Sequence, residues 1–274
     1  MNTEKKISVI MGIYNCSSTL AAAIESILSQ TYDNFELIIC DDGSVDRTYE
    51  IAKAYADINP EKIKLIKNKK NIKLAATLNR CLEYAKGDYI ARMDGDDISV
   101  AERFEKQTEF LNTHPEYDLV GTQMISFDET GDVGVREVIG IPDKKCLVTR
   151  NPFAHATIMC RRNVYSVLKG YSIETYAERC EDMELWFRFF AHGFKGYNLQ
   201  LPLYKVRETA ADYKRRKLKY GFGASKVLIK GYRLLGYPLY LYPFALKPIL
   251  AYALPTSIMK AYHNKNDKNT ASAN

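Results

Sequence analysis

The chain has 274 residues, 46% of them hydrophobic, and a formal net charge of +6. Such a composition buries one large core or two modest ones and excludes disorder for most of the length. Six cysteines lie far apart with no Cys-x-x-Cys pair, which argues against a zinc site and for free thiols in a reduced compartment. The polar stretch Met1 to Lys6 lacks the apolar run of a secretory leader. Residues 7–13 form the apolar run of a strand buried on both faces. Asn15 or Ser17 then offers a helix cap, and Leu20, Ala23, Ile24, Ile27 and Leu28 recur at helical spacing. A second strand over Phe35 to Cys40 ends in Asp41-Asp42-Gly43-Ser44, and Asp46 opens a helix through about Asp57. Ile63 to Lys67 reads as a third strand, and Leu74 to Lys86 as a helix that stops at Gly87. A fourth strand over Asp88 to Met93 delivers Asp94-Gly95-Asp96-Asp97. Then come a helix over about Val100 to Asn112, a strand near Leu119 to Ser126, a hairpin through Asp128 to Asp132, and a helix over about Cys180 to His192.

This alternation predicts an α/β fold with a mostly parallel central sheet flanked by helices. Polar residues fall after successive strands, at Tyr14-Asn15, Asp41-Asp42 and Asp94 to Asp97, the edge at which open parallel sheets bind ligands. Three carboxylates within four positions at Asp94 to Asp97 repel one another, by about 1 kcal/mol or more per near pair, unless a cation offsets them. Hard oxygen ligands of this kind suit Mg²⁺ or Mn²⁺, which usually completes its shell with substrate phosphates. A solvated acidic turn is the plainer reading of the same string. Neither Gly-x-Gly-x-x-Gly nor a P-loop occurs, so a diphosphate here needs a metal and carboxylates rather than a glycine loop.

Motifs in order carry a resemblance. They are Ile7 to Met11 with Tyr14-Asn15, Ser26 to Tyr32, Asp41 to Ser44 with Asp46 and Thr48, Leu78-Asn79, Gly87 to Asp97, and Arg103-Phe104 with Gln107. Further on stand His155 to Met159 with Arg161-Arg162, Gly170-Tyr171 and Glu181 to Trp186. Over about residues 7–207 the chain resembles the family 2 glycosyltransferases of the GT-A (Rossmann-like) fold, on their bacterial polysaccharide branch.

The resemblance implies an inverting transferase that moves a sugar from a nucleotide-diphosphate donor, a UDP-sugar, to a glycan or lipid-linked acceptor. Tyr14, Asn15, Asp41 and Asp42 then hold the nucleoside, with Asp42 alternatively a helix cap. Asp94 and Asp96 match the Asp-x-Asp motif, with Mn²⁺ or Mg²⁺ as cofactor and His155 as a further metal or diphosphate contact. Asn79, Lys73 and Arg162 complete the donor set, although Lys73 stands where relatives often have Gly. Glu181-Asp182 matches the family's acid pair, Asp182 being the base that takes the acceptor hydroxyl's proton. A helix N-terminus that welcomes carboxylates is the rival explanation of the pair, and both roles can hold together. Two rival readings are a sugar-phosphate nucleotidyltransferase, which lacks its glycine-rich loop after strand one, and a catalytically idle membrane scaffold.

From Lys205 to Lys247 eleven basic residues face two acidic ones, a local +9 that leaves the rest of the chain near −3. The stretch Leu234 to Met259 is apolar apart from Lys247, but four prolines interrupt it, so an interfacial element on an anionic membrane fits better than a spanning helix. Helices packed on the body are the alternative, and nucleic acid is not the expected partner. The organisation expected is a catalytic domain over 1–207, split into a nucleotide half 1–112 and an acceptor half 113–207, a basic aromatic helical extension over 208–263, and a disordered tail over 264–274. The expected location is the cytoplasmic, inner face of the plasma membrane.

Overall fold

The computed structural model describes residues 5–208 and 217–253. Strands β1 (Ile7–Ile13), β2 (Phe35–Asp41), β3 (Ile63–Lys67) and β4 (Tyr89–Asp94) are mutually parallel in the spatial order β3-β2-β1-β4. Their continuous apolar character follows from cover on both faces. Val9, Met11, Ile13, Leu37, Ile39 and Met93 pack beneath α1 (Leu20–Leu28) and α4 (Arg103–Thr113). The alternate residues Ile10, Ile38, Cys40 and Ile90 pack with α3 (Leu74–Leu82), α5 (Arg162–Leu168) and α6 (Glu181–Ala191). Between β2 and β3 runs α2 (Thr48–Ile58).

Beyond β4 the sheet becomes mixed. Strands β5 (Ile98–Ser99), β6 (Leu119–Asp128), β7 (Gly131–Arg136), β8 (Met159–Arg161) and β9 (Gly196–Arg207) extend it to nine, with β8 antiparallel to both β4 and β6. The hairpin expected through Asp128 to Asp132 is the β6–β7 turn.

Several boundaries move for identifiable reasons. Neither Asn15 nor Ser17 caps α1; Thr19 stands at its N-cap, while the Asn15 side chain accepts from the Val45 N–H instead. Asp46 accepts from the Thr48 and Ser17 N–H groups and so ties the start of α2 to the loop after β1. Helix α3 ends at Leu82, four residues before the expected stop. Gly87 is required by close approach rather than as a helix terminator, because a Cβ there would lie 2.6 Å from the Ser8 nitrogen and 2.7 Å from the Lys6 carbonyl oxygen.

The C-terminal segment comprises α7 (Leu218–Leu234), a helical turn at Leu239–Leu246 and α8 (Lys247–Ala253). It is packed on the body through its glycines. A Cβ at Gly231 would sit 2.3 Å from the Phe187 ring, and one at Gly223 would sit 2.5 Å from the Tyr176 carbonyl oxygen. Val227, Leu228 and Tyr232 are buried in the same core as Trp186 and Phe187. The opposite side keeps Leu239, Tyr240, Phe244, Leu246 and Leu250 exposed beside an exposed Lys247. No helix among the described residues is long and apolar enough to cross a membrane. The expected tail and the remainder of the extension, at 209–216 and 254–274, lie outside the described residues.

Candidate active site

Three neighbouring strands, β2, β1 and β4, end side by side, with Ile13 opposite Asp41 and Gly12 opposite Asp94. Each end is followed by a polar loop, so the chain's acidic pairs arrive at one edge of the sheet. Asp41 is buried and accepts from the Ser44 N–H. Asp42 is nearly buried and takes three donors: the Asn68 amide at 2.8 Å, the Ile72 N–H at 2.8 Å and the Lys73 N–H at 3.0 Å. It caps the loop before α3, not the helix that follows Gly43-Ser44. Those bonds hold Lys73 at φ 77, a backbone conformation natural to glycine that costs a lysine ~1–3 kcal/mol. Asn15 is also left-handed, at φ 49, and fixes the 44–45 turn through bonds to Ser44 and Val45. Tyr14 stands 47% exposed above the strand ends.

Asp94 is held from below. The Arg92 guanidinium, 3% exposed, forks onto both of its oxygens at 2.8 and 2.7 Å. Burial opposes the charge on Arg92, but Asp94, helped by Tyr171 and Tyr204, carries its pKa above the usual value. Asp96, in the turn after β4, is exposed. Asp97 is buried and accepts from the Tyr204 hydroxyl and the Arg207 N–H. Burial, with Asp94 and Asp96 adding their charge, pushes its carboxyl up to about 8. Asp94 and Asp96 suit Mg²⁺ or Mn²⁺, which takes one or two carboxylates and leaves several positions for water and phosphate. Among the described residues no group of three or more His, Cys, Asp or Glu forms a closed metal cage.

A cavity of about 770 Å³ opens beside these strand ends, lined by Tyr14, Asp42 and Lys73 on one wall and by Glu178, Arg179, Glu181 and Tyr220 on the other. Glu181 and Asp182 occupy the first turn of α6, where the helix dipole favours carboxylates. Burial nevertheless raises the pKa of both; for Glu181 the charge of Asp182 adds to it. Asp182 accepts from the Asn151 amide at 2.9 Å and from the Met183 N–H at 2.7 Å. A carboxylate with a raised pKa, oriented by two donors, is fitted to take a proton.

The remaining sequence candidates lie elsewhere. His155 is half-buried, bonds the Tyr171 hydroxyl through Nε2 at 2.8 Å and stacks edge-on to Trp186; desolvation and then Arg92 hold its pKa well below the usual value. It does not join Asp94 and Asp96 in any metal group. Asn79 clamps both backbone groups of Tyr171 at 2.8 Å. Arg162 begins α5, and its N–H bonds the Asp88 carbonyl at the opposite end of β4. Asn79 and Arg162 therefore border a second cleft of about 830 Å³, not the cavity above. Trp186 is core, fully buried against Phe153 and Phe189. Arg92, Asn151, Glu178 and Tyr220 were not singled out by sequence. Only the apolar neighbours of Arg92 within a strand could have signalled a buried charge.

The family model described as "Glycosyl transferase family 2" matches residues 8–166. A relative from Bacillus subtilis (strain 168), named as glycosyltransferase EpsE, is 49% identical over 269 residues, covering 98% of this chain and 97% of that protein. An Escherichia coli relative, UDP-Glc:alpha-D-GlcNAc-diphosphoundecaprenol beta-1,3-glucosyltransferase WfaP, is 33% identical over 226 residues, covering 81% and 85%. Among solved structures, the Pyrobaculum calidifontis mannosyltransferase PcManGT in complex with GDP-Man and Mn²⁺ shares the fold, with a TM-score of 0.65 at 16% identity over 96% of this chain and 81% of that one.

Proposed function

The chain belongs to glycosyl transferase family 2, with the GT-A fold, and from that premise we propose an inverting, metal-dependent transfer of sugar from a UDP-sugar to a lipid-linked glycan in cell-surface polysaccharide synthesis. One observation carries this reading: Asp42 follows β2 and Asp94 and Asp96 stand at the end of β4, on either side of β1, and Glu181, which lines the same cavity as Asp42, starts α6 together with Asp182. Asp42 keeps room for one more donor, since a carboxylate has about four acceptor sites and three are taken. A base N–H of a uracil-like edge fits that vacancy, with Tyr14 as the stacking face. Asp96 and Asp94 would hold Mn²⁺ or Mg²⁺, which when bound supplies charge neutralisation at the departing diphosphate. Asp182 receives the proton of the attacking acceptor hydroxyl, and Asn151 keeps its carboxylate aimed.

The acceptor class is supported by the diphosphoundecaprenol in the name of the E. coli relative. Peripheral binding at the inner membrane face is supported by the exposed Leu239, Tyr240, Phe244, Leu246 and Leu250 beside Lys247. The test is incubation with UDP-sugars and a lipid-diphosphate acceptor, with Mn²⁺ or with EDTA, reading product anomeric configuration by NMR. Transfer with inversion that EDTA abolishes is the expected result. Retention, or full activity in EDTA, would overturn the mechanism.

A further inference from the structure

Four non-glycine residues among those described have a positive φ, and two of them, Lys73 and Arg179, line opposite walls of the 770 Å³ cavity. Backbone strain of this kind persists only where surrounding bonds enforce it, and here Asp42 enforces it at Lys73. The result is that the Lys73 side chain, 64% exposed, approaches Glu178 across the cavity, Nζ to Oε1 at 3.9 Å. The other Glu178 oxygen meets Lys219 Nζ at 3.6 Å, and the Tyr220 hydroxyl donates to Oε1 at 3.5 Å. One carboxylate is thus loosely surrounded by two ammonium groups and a phenol, from three separate segments: the start of α3, the loop before α6 and the start of α7. All these contacts are long for ion pairs, so none of them is a strong cross-link.

We propose that Glu178 is a placeholder anion, and that Lys73, Lys219 and Tyr220 form a phosphoryl-binding clamp into which a substrate phosphate enters by displacing it. The inference rests on the glycosyltransferase reading but assigns a subsite and a self-competing group that the reading does not require. A phosphoryl group matches the clamp better than a carboxylate, because it brings more charge and a third acceptor oxygen to three donors. Lysine rather than arginine suits a group that must be exchanged in each cycle, since the ammonium is a point charge with no bidentate geometry to undo. The phosphate has two possible sources, the nucleotide diphosphate of the donor and the lipid diphosphate of the acceptor. Helix α8 folds back onto α7 beside the clamp, where a Cβ at Gly221 would lie 3.0 Å from the Pro248 carbonyl oxygen, and α8 carries the exposed Leu250, so an acceptor lipid is a candidate source as well as the donor.

The test measures affinity for inorganic pyrophosphate, UDP and farnesyl diphosphate, with uridine as a phosphate-free control, by calorimetry on the full chain. Glu178→Gln is expected to tighten pyrophosphate by roughly twofold to tenfold, to leave uridine unchanged, and to lose this gain in a Lys73→Gln, Lys219→Gln background. Tightening of UDP assigns the clamp to the donor, and tightening of farnesyl diphosphate assigns it to the acceptor. Unchanged, weakened or undetectable binding of all three phosphate probes in Glu178→Gln would overturn the clamp and leave Glu178 a strut between loops. Uridine binding that persists in that case keeps the nucleotide-site reading standing, so the two failures are distinguishable.

Discussion

Among the described residues, two clefts of nearly equal size lie at opposite ends of the same parallel strands, and they differ in almost everything but volume. The larger, about 830 Å³, lies where β4 begins and is bordered by Lys5, Asp88, Arg161, Arg162 and Lys169. Its charges are already occupied in part: Lys5 pairs with Asp88 at 3.4 Å, and the Arg161 guanidinium bonds the Tyr117 and Leu111 carbonyls. The smaller, about 770 Å³, lies where β1 and β2 end, with carboxylates of raised pKa and strained backbone around it. Cleft volume therefore says little about function here. Topology says more, because in a parallel sheet the loops that vary and carry chemistry collect at the carboxyl edge.

The sharpest way to break this contrast is Asp182→Asn. The expected outcome is a fall in kcat of about 10²–10⁴-fold with UDP affinity unchanged, as for loss of a general base. Thermal stability should not fall. The folded-state pKa of Asp182 lies above the ordinary carboxylate value, so the stability linked to its protonation is present below the unfolded pKa and lost as pH rises through the folded one. At pH 7 the charged group is therefore a liability to the fold, and asparagine keeps the bond to Met183. A kcat within tenfold of the parent would move the base elsewhere.

Arg92→Leu ranks next. It leaves the Asp94 carboxylate, 29% exposed, without its two-pronged partner, at a cost of about 3 kcal/mol, the low end for breaking a buried pair. Chemical denaturation measures it. Arg92→Lys recovers the charge but not the fork, so it should recover only part of the loss.

These two residues also show what can be read from the sequence and what cannot. The parallel half was legible because strand and helix periodicities are local, and Ile7–Ile13 and Ile63–Lys67 match the expected strands to the residue. Asp94, Asp96, Glu181 and Asp182 were legible as motifs. Arg92 was not, since its role depends on Tyr171, Tyr204 and His155 closing over it from distant segments. The place of Arg162 in the larger cleft has a similar cause. It follows β8, and β8 runs antiparallel to β4 with Arg161 opposite Tyr89, which sends the following residue to the end of the sheet away from Asp42 and Asp94. Strand direction is a property of pairing, and the short run at 159–161 carries no mark of it.

A third variant probes the extension that leans on the catalytic half. Gly231→Val forces a branched side chain into the Phe187 ring and should cost about 1–3 kcal/mol by overpacking. Leu239→Gln with Leu250→Gln, at 80% and 64% exposure, should leave the melting temperature in place and weaken binding to anionic vesicles. If Gly231→Val melts with the parent, α7 is not the fixed wall of the cavity that its contacts indicate.

The fourth is a shift rather than a loss. Asp182 must be ionised to accept a proton, so the acid limb of kcat/KM should lie above the ordinary aspartate value of about 3.9. Asn151 donates to the charged form and holds the pKa down. Asn151→Ala should therefore move the limb to higher pH while the rate on the plateau falls less than in Asp182→Asn. A limb that stays put would mean that the Asn151 bond is not made in the working enzyme.

The smallest effect is expected at the other cleft, and it is the one that tests the contrast most directly. Arg162→Ala removes an exposed cation next to the larger cavity, in a helix whose N–H, not its guanidinium, makes the bond to Asp88. Nucleotide affinity should stay within about twofold, because salt largely screens exposed charges separated by more than about 10 Å and the six residues of β4 alone put about 20 Å between the two ends. Lys73→Ala also removes an exposed cation and should weaken UDP binding measurably. Equal weakening of UDP binding by the two substitutions would mean that the two ends of the sheet share one ligand, and the division between them would fail.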